Sequence, residues 1–397
     1  MNPLYASLPT TIFETMSARA RATGAINLGQ GFPDAGWPQD VLDTAAAALL
    51  TGSNQYPPMA GTPGLRRAIA DHYRAHQAVD LDWESEVTVT SGATEALAAA
   101  LLALITPGDE VVLFQPLYDA YLPLVRRAGG VPRLVRLAPP RWQFSEADLA
   151  AVFGPKTRVV LINNPLNPSA STFDRASLEL LARFAAAHDA IVVSDEVWEH
   201  VVFDGAAHTS VLAVPALRER SVKIGSGGKI FALTGWKVGW MCAGPDLTRA
   251  LARSHQFLTF TTPPNLQAGI AQGLAKDPGW FTAMRAGFQR SRDRLVTGLA
   301  AAGFAMLPSA GTYFVSIDLT ASGIGHGDVE VADRLIAAGV ASIPVSAFYA
   351  DDPVTSTLRL CFAKQDAVLD GAIARMTAAL PALLASQVGS RRGSGQP

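Results

Sequence analysis

Two short runs constrain this chain more than any other feature: Val159-Val-Leu-Ile162 and Ile191-Val-Val193 are apolar at every position. A strand with one wet face alternates polar and apolar residues, so a run without alternation belongs to a strand covered on both faces. A helical pattern at 175–188 separates the two. Strand, crossover helix and strand in that order make a parallel sheet packed between helices. Residues 86–90, 111–114, 132–136, 222–225 and 238–243 read as further strands, and 91–105 and 120–128 as helices. The expectation is an α/β fold with a mostly parallel central sheet in a large domain over residues 40–280.

After Gly279 the pattern changes. A long helical stretch at 281–302 precedes strand patterns at 311–317, 341–344 and 358–362, with helices at 329–338 and 367–384. These describe a smaller α+β domain built from residues 1–39 and 281–385. The Gly/Ser/Arg-rich residues 386–397 read as a disordered tail. The net charge of −2 excludes the basic face that a nucleic-acid binder needs. Cys242 and Cys361 are the only cysteines and lack metal-ligand spacing, so no metal site and a reducing compartment are expected. Met1–Ala20 has no basic-then-apolar signal pattern, and the longest uninterrupted apolar candidate, 96–105, is too short to span a bilayer. A cytoplasmic protein that meets no membrane follows.

Chemistry concentrates in Ile224-Gly-Ser-Gly-Gly-Lys229 and Thr234-Gly-Trp-Lys-Val-Gly239. The chain holds only six lysines, and three of them fall between 223 and 237. Packed among Gly, Phe and Trp, Lys229 is desolvated toward its neutral amine, the form that condenses with a carbonyl. Lys237 and Ser226 suit a phosphate. An aldehyde that carries a phosphate is pyridoxal 5′-phosphate (PLP). A surface lysine after a turn is the plainer alternative.

Other segments supply the parts such a cofactor needs. Asp195 ends the buried strand and can hold a pyridine nitrogen protonated; an N-cap is the alternative. Ser91-Gly-Ala-Thr94 lies at a strand-to-helix junction whose free N–H groups attract an anion. Asn167, in Asn163-Asn-Pro-Leu-Asn-Pro168, is placed to reach the ring's phenolic oxygen, or serves the turn alone. Tyr118 can stack on the ring. Arg359, an arginine inside the apolar run Leu358–Phe362, demands an anion: a substrate carboxylate or an internal acid.

Together with Asn27-Leu-Gly-Gln-Gly-Phe-Pro-Asp34, Asn54-Gln-Tyr-Pro-Pro-Met59, Ser194-Asp-Glu-Val197, Gly311-Thr-Tyr-Phe314 and Arg359-Leu-Cys-Phe-Ala-Lys364, these motifs resemble the fold-type I, class I/II aminotransferases. The likeness runs from about residue 9 to 384 and is strongest to the bacterial methionine aminotransferases and their kynurenine/glutamine transaminase relatives. The resemblance implies ping-pong transamination of a methionine, aromatic or glutamine-like amino acid with a 2-oxo acid. In it Lys229 carries the cofactor and moves the proton, and Asp195 binds the ring nitrogen. Ala93, Thr94, Ser226 and Lys237 hold the phosphate, Tyr118 stacks, Asn167 reaches the phenolic oxygen, and Gly31, Asn167 and Arg359 take the substrate carboxylate. It also implies a homodimer with the active site at the interface. Tyr56 reaches the partner's phosphate, Phe260 walls the partner's pocket, and Phe13 lines the same pocket.

Trp198 stands where the family usually has a tyrosine, and Leu166 where relatives often have histidine. An indole N–H can donate to the cofactor but cannot ionise. Two alternatives remain open at this point: a PLP-dependent carbon–sulfur β-lyase, and a PLP-sensing regulatory protein. The second would carry a DNA-binding extension, and no winged-helix pattern precedes the fold.

Overall fold

The computed structural model describes residues 1–34 and 36–385; the tail expected at 386–397 lies outside them. Its centre is a seven-stranded sheet in the order Val87–Thr90, Gly239–Ala243, Ser221–Ser226, Ile191–Asp195, Thr157–Asn163, Glu110–Gln115 and Val131–Arg136. Only 239–243 runs against the others, pairing antiparallel with 87–90 and 221–226. The apolar runs are buried on both faces, as their lack of alternation requires. Val160, Ile162 and Val192 pack with Leu178 and Leu181 of the helix Arg175–Ala187. Val159, Leu161 and Val193 face Leu97 and Leu101 of the helix Ala93–Leu104 on the other side.

The second core surrounds a four-stranded antiparallel sheet ordered Ile343–Pro344, Thr357–Cys361, Phe314–Asp318 and Ala305–Met306. It draws Leu295 and Leu299 from the helix Pro278–Ala302 and Leu335 from Asp328–Ala337. The N-terminal helix Ile12–Thr23, capped by the Thr11 hydroxyl, adds Met16 and Ala20. Two sequence expectations shift here. The strand read from Gly311 starts at Phe314, because Thr312 has a left-handed φ of 67° and Gly311 instead bridges Val202. The strand read over 341–344 is two pieces. Val340–Ala341 pairs with Ile26–Asn27, and Ile343–Pro344 joins 357–361.

Among the described residues Asp366–Ala385 is the one helix long and apolar enough to cross a membrane, by length and composition. Leu369, Ala372, Met376, Leu380 and Leu383 recur at three- and four-residue spacing along it and lie buried in the second core. The opposite side carries Asp366 and Asp370, both paired with Arg294. That is the pattern of an amphipathic helix seated on the second core.

Candidate active site

Three adjacent parallel strands end in Asn163, Asp195 and Ser226, so their last side chains gather at the carboxyl edge of the sheet. Ligands bind at this edge in open α/β folds. A cavity of about 180 Å³ opens there, lined by these three residues and by Ala93, Thr94, Tyr118, Asn167, Trp198, Lys229 and Lys237. Lys229 sits in the single helical turn Gly227–Ile230 that directly follows the strand 221–226. Burial pulls its ammonium down to about 8, against the opposing charge of Asp195. At that value a working fraction of amine is neutral near physiological pH.

Asp195 is 5% exposed, and burial pushes its carboxyl above the usual range. The Tyr121 hydroxyl donates to Oδ2 at 2.7 Å and the Val197 N–H to Oδ1 at 3.3 Å, which oppose that shift. A cationic ring nitrogen in the cavity would supply the counter-charge that burial calls for. Asn163 donates to the Asp195 carbonyl and accepts from the Asn167 N–H, both at 2.8 Å, so one amide fixes two site segments.

The anion cradle comes from the start of helix 93–104. Gly92 precedes it at φ 81°, and no side chain caps the first N–H groups. A side chain at Gly92 would meet Lys237 Cε at 3.1 Å, and one at Gly239 would meet the Gly92 carbonyl carbon at 2.7 Å. The loop, Lys237 and the strand 239–243 are therefore pressed together, and glycine is the residue that permits it. Free N–H groups at a helix start beside a lysine suit a phosphate. Burial raises the Tyr118 hydroxyl to about 12, with the Thr94 hydroxyl bonded to it.

Arg359 is fully buried and forms no ion pair among the described residues. Its guanidinium lies 3.9 Å from the Phe314 ring centre, with the rings of Phe13 and Phe348 at 5.1 and 5.3 Å. Nη1 donates to Asn167 Oδ1 at 2.9 Å and Nη2 to the Gly29 carbonyl at 2.6 Å, while Nε has no partner. Burial lowers its affinity for the proton to about 9. A desolvated cation held by neutral acceptors is a site for an incoming carboxylate. Because Asn167 accepts through Oδ1, its amide nitrogen is the donor left for a ligand.

The sequence-derived residues thus converge apart from Tyr56, Phe260 and Gly31, and Phe13, expected in a partner's pocket, lies against Arg359 of its own chain. Tyr56 and Phe260 lie on the outer surface, 82% and 40% exposed, with rings 5.6 Å apart. Gly31 presses on Phe314, where a side chain would come within 2.5 Å of the ring, and it is the Gly29 carbonyl that meets Arg359. Tyr121, Asn163, Gly29, Phe314 and Phe348 escaped the sequence reading. Tyr121 carried a signal, three residues past Tyr118 across the turn that opens the helix Tyr121–Arg127, and Asn163 ends a buried strand; Gly29, Phe314 and Phe348 are set by tertiary packing.

Behind the site lies an ionic network centred on the buried Lys223, Glu196 and Glu199. Lys223 donates to Glu196, to Glu199 at 2.7 Å and to Gln77 at 3.0 Å. Glu196 also takes His208 and the Val211 N–H, and Tyr73 bonds Glu199. Next to Glu199, His72 donates Nδ1–H to the Leu274 carbonyl, so its Nε2 accepts from His200 at 2.7 Å. Both rings are neutral: burial lowers His72 from 6.5 to about 4 and His200 well below its ordinary value. The unfolded chain binds protons that this pair refuses. Stability is therefore complete above pH 6.5 and is lost as pH falls toward 4. Melting temperatures should drop through that window, and His72→Gln should flatten the fall; an equal slope in the variant would assign the acid sensitivity elsewhere.

Comparison with known proteins follows the same geometry. The family model for aminotransferase class I and II matches residues 23–376. The methionine aminotransferase of Escherichia coli is 41% identical over 93% of this chain and 96% of its own length. The kynurenine–oxoglutarate transaminase of Dictyostelium discoideum is 33% identical over 92% and 93%. The structure of N-succinyldiaminopimelate aminotransferase from Mycobacterium tuberculosis superposes with a TM-score of 0.92 at 40% identity, covering 96% of this chain and 100% of that one. A match of that extent reaches every strand that ends in the cavity. This chain belongs to the class I and II aminotransferases and is an enzyme that moves an amino group between an amino acid and a 2-oxo acid.

Proposed function

We propose that the enzyme uses PLP to transaminate an amino acid with an apolar or aromatic side chain, methionine foremost, with a 2-oxo acid as acceptor. One observation carries this: Lys229, Asp195 and the uncapped helix start line one cavity, with Arg359 behind Asn167 at its edge. PLP supplies an aldehyde to hold the amino group and a cationic ring to take up electrons from the α-carbon.

The chain's own residues do the rest. Arg359 and Asn167 grip the substrate carboxylate, which orients the α-hydrogen toward Lys229. The neutral Nζ of Lys229 would take that proton and hold it for return, a transfer its depressed proton affinity suits. Asp195, braced by Tyr121, would hold the ring nitrogen charged. Ala93, Thr94, Ser226 and Lys237 would hold the phosphate, Tyr118 would cover the ring, and Asn167 with the Trp198 indole N–H would serve the phenolic oxygen. Phe13 and Phe348 pack 5.6 Å apart beside Arg359 and form an apolar wall. That wall supports methionine over a dicarboxylate donor.

Tyr56 and Phe260 form an exposed aromatic pair outside the chain's own cavity. A second copy of the chain covers that pair in this reading: a cytoplasmic homodimer in which Tyr56 reaches the partner's phosphate. Light scattering should return twice 41.8 kDa; a monomer that binds PLP would exclude this. A donor panel with several 2-oxo acids tests the chemistry. Methionine and aromatic donors should convert the bound cofactor to its amine form, read by absorbance, with aspartate at least tenfold slower. Pyruvate and ammonia from cystathionine without an acceptor would place the enzyme among the lyases instead.

A further inference from the structure

Lys229 must let go of the cofactor during turnover, and its ammonium then needs a place to wait. Among the described residues the direct contact available to it is aromatic. Its Nζ lies over the indole of Trp198, 4.7 Å from the ring centre. Trp198 is 3% exposed and packed among aromatic rings. The rings of Tyr313 and Phe314 meet it edge-on at 4.5 and 5.7 Å. Tyr313 also donates to the Lys229 backbone carbonyl at 2.7 Å. One aromatic group thus holds the main chain of Lys229 while the ring braced against it faces the side chain's charged end.

We propose that Trp198 is a positioning residue whose indole face receives the free Lys229 ammonium by a cation–π contact, holding it beside the cavity whenever the cofactor is not attached. This rests on the reading of Lys229 as the cofactor lysine. The contact stabilises the charged form, against the burial that destabilises it.

The test needs no turnover. In the full-length apo protein, methylation of Lys229 by formaldehyde and cyanoborohydride, read by peptide mass spectrometry across pH 6 to 10, follows the neutral amine. Its midpoint should lie near 8. Replacing tryptophan by mono-, di- and trifluorotryptophan drains the ring face while keeping its shape, and should lower the midpoint in steps, by about one pH unit in all. Trp198→Met should lower it too, and Trp198→Phe by less. A midpoint unmoved by fluorination would overturn the proposal, as would a rise in Trp198→Met, because loss of burial alone raises it. Separately, PLP with borohydride should label Lys229. Labelling at another residue would sink the cofactor reading while leaving the fluorination result to judge Trp198.

Discussion

Replacing Lys229 with alanine should lower kcat by at least about 10⁴, since one side chain serves as both covalent tether and proton carrier. The variant should keep its fold. The Lys229 side chain is a desolvated cation resting on an aromatic ring, so its removal withdraws no ionic support from the core. PLP should still bind through the cradle of Ala93, Thr94, Ser226 and Lys237, but without the absorbance of the lysine-linked form and without labelling by borohydride. Spectra and rates measured on one preparation decide it. Turnover within tenfold of the parent enzyme would remove Lys229 from the chemistry.

Arg359→Met should separate function from stability. The substrate KM should rise roughly 10²- to 10³-fold, the scale of losing one partner of a buried charge-assisted pair. Thermal stability without substrate should hold or increase. Burial already strips the guanidinium of much of its proton affinity, and its protein partners are an amide and a carbonyl, never an acid. A buried cation without a counter-ion costs more than an apolar side chain of similar volume. Leaving Asn167 and the Gly29 carbonyl unpaired costs about 1–3 kcal/mol each in the other direction, which offsets most of the gain. A large loss of stability with an unchanged KM would make Arg359 a structural residue.

Legibility in the sequence followed the range of the physics involved. Lys229, Asp195 and Ser91-Gly-Ala-Thr94 are readable because each stands at the end of a strand, where backbone pattern and side-chain chemistry are local. The helices Gln39–Thr51, Pro63–Gln77 and Pro264–Leu274 were not singled out; the two end ones pack together against the large core, and their apolar residues are diluted by alanine and glycine. His72 and His200 are 128 positions apart and carry no shared motif, so their 2.7 Å contact had no local trace.

What the chain alone determined was the doubly covered parallel sheet and the chemical kinds of group at its edge, because strand periodicity and residue type survive without any neighbour. Only the tertiary structure decided which groups answer one another. Tyr121 bonds Asp195, Asn163 ties Asp195 to Asn167, and Gly29 with three phenylalanines surrounds Arg359. Charge and proton affinity in a buried site depend on solvent exclusion and on partners distant in sequence, and those exist only once the chain has closed on itself.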